Sequence, residues 1–90
     1  MISKKFKITN ESGVHARPAT ALVNLCMQFD SDITLETLKK EVDFKSIMGV
    51  MSLGIYSGMS IIIKADGSDE EKAITAISEK ILELNLGKEI

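Results

Sequence analysis

The sequence predicts an α/β (α+β) two-layer sandwich: a four-stranded antiparallel sheet with three helices on one face. Three observations predict it. Apolar residues recur at period two or in short runs in four segments, and at helical spacing in three others. Strand-like and helical segments interleave, which calls for helices layered on a sheet. The two middle strands lie too close in sequence for the crossover that parallel pairing needs, so the sheet is antiparallel.

The first strand is "ISKKFKI". Ile2, Phe6 and Ile8 share one face, Ser3, Lys5 and Lys7 share the other, and Lys4 interrupts the apolar face. "TNESG" supplies turn chemistry. From Ala16 the period becomes helical: Ala19, Leu22, Val23, Cys26 and Phe29 form one stripe, while Arg17, Thr20, Asn24 and Met27 turn away from it. This helix should stop near "DSD". "ITLET" and "EVDF" follow as strands, with Phe44 facing the core and no Asn-Gly or Asp-Gly signal in the link. "SIMGVMSLG" is a short apolar helix with Ser46 at its head and Gly54 at its end. "SIIIKAD" is a buried strand. The last helix has Ser68 and Glu71 at capping-box spacing, an acidic first turn, and Gly87 where a C-terminal cap belongs. Its core face is Ala73, Ile74, Ile77, Ile81 and Leu84.

Ninety residues make one domain, spanning 1–90. A chain of this size buries roughly 60–65% of its unfolded surface, so most apolar residues belong to one core. The net charge of -2 argues against nucleic acid as the main partner. Cys26 is the single cysteine and has no internal disulfide partner, which fits a reducing compartment. No leader opens the chain and no apolar run nears the ~20 residues of a membrane span. The expectation is a cytoplasmic protein without membrane insertion. One histidine and one cysteine do not make a metal ligand set, and no cofactor is expected.

The only histidine and the only proline share the segment "SGVHARPAT". Proline is tolerated in a first helical turn, whose N–H groups have no intrahelical partner. Pro18 therefore sets a helix start near Ala16, with His15 at or just before the cap. The N–H groups of Ala16 and Arg17 would then point toward whatever sits beside the imidazole. The helix dipole favours an anion there by roughly 0.3–1 kcal/mol. A charge-assisted hydrogen bond from Arg17 would add roughly 1.5–3 kcal/mol. Both disfavour imidazolium, which leaves one ring nitrogen as a nucleophile. Together they suit a histidine that carries a phosphoryl group. Gly13 would let the backbone bend so that the ring reaches a partner. The plain alternative is a surface histidine or weak cap. A Cys26–His15 nucleophile pair is disfavoured because Cys26 lies on the core-facing stripe.

Ser46 is the second chemical position. By itself it reads as an ordinary N-cap. The helix behind it is apolar on more than one face, so part of Ile47, Met48 and Met51 should meet partner proteins. A phosphate on Ser46 would put negative charge into that surface.

"SGVHARPA" and "KSIMGVMSLG" together resemble the two signatures of the HPr family, the histidine-containing phosphocarriers of the bacterial sugar phosphotransferase system. The resemblance spans the whole chain in length and element order. It implies an open-faced sandwich with strand order 1-4-2-3 and three helices on one side. It implies that His15 accepts a phosphoryl group on Nδ1 from phospho-Enzyme I, itself charged from phosphoenolpyruvate. The group would pass to the A components of sugar permeases. Arg17 corresponds to the family's phosphate-binding arginine, with the Ala16 N–H beside it, and Thr20 falls on the docking face. Ser46 matches the site of HPr kinase/phosphorylase, whose product acts with a catabolite-control repressor. The chain would be a carrier and not an enzyme.

Asn24 and Met27 replace residues that are often basic in relatives, which should weaken steering toward acidic partners. A paralogue class keeps the serine and lacks the histidine; His15 argues against it here. The alternative function is a regulatory binding module controlled through Ser46, with His15 idle. An RNA-binding sandwich would need aromatics exposed on a strand face, and Phe6 and Phe44 are both expected in the core. A monomer is expected, on size and on the need to expose a docking face.

Overall fold

The computed structural model describes residues 1–38 and 40–90. Its elements are β1 (Ile2–Ile8), α1 (Ala16–Cys26), β2 (Asp32–Thr37), β3 (Lys40–Asp43), α2 (Ile47–Ser52), β4 (Ser60–Asp66), α3 (Glu70–Glu83) and β5 (Gly87–Glu89). The sheet order is β3-β2-β4-β1-β5, and every pairing is antiparallel. The predicted order 1-4-2-3 is present within it, but the sheet has five strands and not four. β5 adds to the free edge of β1, pairing Gly87 with Ile8 and Glu89 with Phe6.

The fifth strand was missed because Gly87 reads as a helix cap. The cap is built differently. Asn85 takes the left-handed conformation at φ 54, which asparagine tolerates better than most residues. Leu86 N–H returns to the Ile81 carbonyl at 3.1 Å and Asn85 N–H to that of Leu82 at 3.1 Å. These are the two bonds of a Schellman motif. Gly87 is then free to start a strand. A side chain there would collide with the Lys7 carbonyl, so glycine is what lets the two backbones approach.

The start of α3 also differs from the capping box expected at Ser68 and Glu71. The N-cap is Asp69, and its side chain makes no bond to its own helix. Its carboxylate accepts instead from the backbone N–H of Asp30 at 2.9 Å and of Ser31 at 3.0 Å, and from the Ser31 hydroxyl. Glu70 accepts from Gly67 N–H at 3.2 Å. A long-range contact thus outcompetes the local pattern. Helix α1 stops at Cys26, short of "DSD", and a turn follows in which Lys45 Nζ donates to the Phe29 carbonyl at 2.8 Å.

One face of the sheet carries Phe6, Ile8, Ile33, Leu35, Ile61 and Ile63, all at most 2% exposed. The helices cover it with their own buried stripes, Leu22, Val23 and Cys26 from α1 and Ile74, Ile77 and Ile81 from α3. Burial of each large side chain contributes roughly 1.5–3 kcal/mol. The other sheet face is open. There Lys64 of β4 bridges Glu36 at 3.3 Å and Glu41 at 3.1 Å.

A histidine at a helix start as the candidate functional site

The segment before α1 is held at several points. Asn10 Nδ2 donates to the Gly13 carbonyl at 3.0 Å, and Gly13 N–H donates back to the Asn10 carbonyl at 2.9 Å. Asn10 N–H reaches the Leu86 carbonyl at 3.1 Å, and Val14 N–H reaches that of Ile55 at 3.1 Å. Gly13 sits at φ 62, with no room for a side chain against Ile55 and Tyr56. Its left-handed φ bends the chain two residues before His15, and the missing side chain lets the segment lie against Ile55 and Tyr56.

His15 is the N-cap of α1, extended at φ -92 and ψ -176, and its side chain makes no capping bond. The imidazole is exposed. Ala19 N–H donates to the His15 carbonyl at 3.0 Å, which closes the first helical turn. Ala16 and Arg17 are the first two helical residues, so their N–H groups have no intrahelical acceptor. Pro18 follows as the third, where its missing N–H costs no helical bond. The helix start expected from Pro18 is the one observed.

His15 and Arg17 line the same shallow depression of about 240 Å³, with Asn10, Pro18, Ala21, Leu84 and Leu86. Arg17 is exposed and makes no ion pair among the described residues. The arrangement places an imidazole and a guanidinium in one depression at a helix N-terminus. That combination can hold an anionic group attached to the ring. Sequence reasoning did not find Asn10, Leu84 or Leu86 here. Asn10 carries only a turn signal, and the two leucines read as the tail of an amphipathic helix.

Thr20 is exposed, and its hydroxyl donates to the Ala16 carbonyl at 2.8 Å. Asn24 of the same helix and Met27, its C-cap, are exposed. Ser46 caps α2, its Oγ accepting from Gly49 N–H at 3.0 Å. Within this helix Val50 is buried, while Ile47, Met48 and Met51 are 40%, 83% and 41% exposed. Cys26 is buried among core residues, and burial pushes its thiol up to about 12. It is thus unsuited to act as a nucleophile. No cluster of metal-ligating side chains occurs among the described residues. No described helix is long and apolar enough to cross a membrane.

Fold and site define a class: small open-faced sandwiches that present a histidine at a helix N-terminus. A family model described as the PTS HPr component phosphorylation site matches residues 2–83. The chain belongs to the HPr family of phosphocarrier proteins. A Mycoplasma histidine-containing phosphocarrier protein superposes with a TM-score of 0.94 at 38% identity, over 96% of this chain and 98% of that one. An HPr dimer from Thermoanaerobacter tengcongensis is 43% identical, with a TM-score of 0.75 over 88% of this chain and 91% of that one. Bacillus subtilis Crh, described as a domain-swapped dimer, is 36% identical, with a TM-score of 0.72 over 92% of this chain and 95% of that one. The last two set the expectation of a monomer beside an assembly that relatives adopt.

Proposed function

We propose that the 90 residues act as one domain that carries a phosphoryl group on His15 between proteins of the sugar phosphotransferase system. Phospho-Enzyme I is the donor and the A components of sugar permeases are the acceptors. The chain has no turnover of its own. The observation that carries this reading is the exposed His15 at the N-cap of α1, in one depression with Arg17. The first-turn N–H groups of Ala16 and Arg17 and the Arg17 guanidinium stabilise the phosphoryl dianion. Thr20, Ile47, Met48 and Met51 belong to the partner surface.

The experiment is phosphorylation by Enzyme I and phosphoenolpyruvate. One acid-labile phosphoryl group is expected on the wild type and none on His15→Ala. A wild-type protein that stays unmodified while a known HPr is charged overturns the reading. Arg17→Ala should slow transfer while leaving the denaturation midpoint in place; an unchanged rate removes its role.

A second role rests on Ser46. Its hydroxyl caps α2 at the edge of an exposed apolar patch, so a phosphate there changes the charge of that patch. HPr kinase/phosphorylase would be the modifying enzyme and a catabolite-control repressor the partner of the modified form. An acid-stable label that is lost in Ser46→Ala supports this role. A kinase that labels Ser46→Ala equally well overturns it.

A further inference from the structure

A second concavity, on another part of the molecule, does not contain His15. It is an open groove of about 560 Å³ at one end of the sheet, walled by Tyr56, Met59 and Leu38, with Lys5 and Ile62 in its lining. This volume suits a small molecule. Its chemistry is lopsided. Ile62 pairs with Lys5 on one side and with Glu36 on the other, so the apolar side chain lies between a cation and a carboxylate. Glu36 is already engaged by Lys64 at 3.3 Å. The Thr37 hydroxyl is also occupied, donating to the Ser60 carbonyl at 3.2 Å. Lys5 makes no ion pair among the described residues. Among the described residues the groove therefore offers the uncompensated ammonium of Lys5 beside apolar walls, including Tyr56, which is 66% exposed. Those features complement a flat apolar body bearing one negative charge.

The wall of this groove is bonded to both ends of the segment that leads into His15. Gly58 N–H donates to the Ile8 carbonyl at 2.7 Å, and Ile8 N–H donates to that of Met59 at 2.8 Å. Val14 N–H donates to the Ile55 carbonyl at 3.1 Å. We propose that this groove is a second binding site, for a small aromatic carboxylate, and that its occupancy is felt at Val14 and His15 through residues 55–59.

The test is amide-shift mapping of the full chain with 2-naphthoate, set against the neutral 2-naphthamide. Saturable shifts are expected at Gly58, Ser60 and Ile62, with smaller ones at Val14 and His15. Naphthamide should bind about tenfold more weakly, the loss of one charge-assisted contact. Lys5→Gln should bring naphthoate down to the level of naphthamide and leave naphthamide binding as it was, which also shows that the variant is folded. Shifts centred on Met48 and Met51, shifts that stay linear into the millimolar range, or unchanged naphthoate affinity in Lys5→Gln each overturn the site. Groove shifts without any response at Val14 and His15 overturn the coupling.

Discussion

Gly13 lies so close to Ile55 that a β-carbon on it would strike the Ile55 carbonyl oxygen, while the next residue, Val14, hydrogen-bonds that same oxygen at 3.1 Å. The placement of His15 thus depends on the loop after α2 as much as on α1.

Gly13→Ala tests that dependence. The substitution meets both a left-handed φ of 62 and a backbone collision. A loss of roughly 1–3 kcal/mol is expected, read as a lower urea midpoint at unchanged slope. A midpoint within error of wild type would show that the segment can lift away from Ile55.

Ser46→Ala removes the side-chain bond to Gly49 N–H, made at 3.0 Å. About 1 kcal/mol of stability should go with it. Ser46→Asp should hold the wild-type midpoint, because aspartate caps as well as serine. If both variants unfold together, capping is not what Ser46 contributes to the fold.

The Asp69 carboxylate lies below its ordinary value, chiefly through the Ser31 hydroxyl bond and then the Asp30 N–H. A depressed folded value means that this contribution is complete above the unfolded value, near 3.8, and fades as pH falls through the folded one. Acid titration of stability should therefore show a decline that begins near pH 4. Asp69→Asn should flatten it. An identical acid limb in the variant would assign the decline to other carboxylates, Glu70 first, since it too is lowered, by Gly67 N–H and then by the N-terminal amine.

Cys26, with its thiol pushed up to about 12 by burial, should resist iodoacetamide in the folded protein at pH 8. Labelling should track global unfolding across a urea series. Fast labelling in native buffer would mean that α1 opens locally.

Much of this fold was legible because its periodicities are local. The α1 stripe of Ala19, Leu22, Val23 and Cys26 and the strand faces of Phe6, Ile8, Ile33 and Leu35 are all buried as their spacing requires. Pro18 located the start of α1, and Ser46 that of α2, because both act within one turn. The misses have a common physical origin. Asp69 bonds to Asp30 and Ser31, some forty residues away, and β5 exists only where β1 is present to receive it. No local pattern encodes either. At the candidate site, His15 and Arg17 stood out as chemistry. Asn10, Leu84 and Leu86 did not, because only tertiary folding brings them to the same depression.

The position of β1 between β4 and β5 bears on the order of assembly. Its partners begin at Ser60 and at Gly87, so no residue of β1 finds a ladder within the first half of the chain. Closing those loops before any pairing rewards them is the slow kind of folding event. During synthesis β1 must wait, unpaired, at least until β4, which begins at Ser60, has emerged. Lys4, Lys5 and Lys7, spaced along that waiting segment, keep it charged and discourage it from pairing with a neighbouring nascent chain.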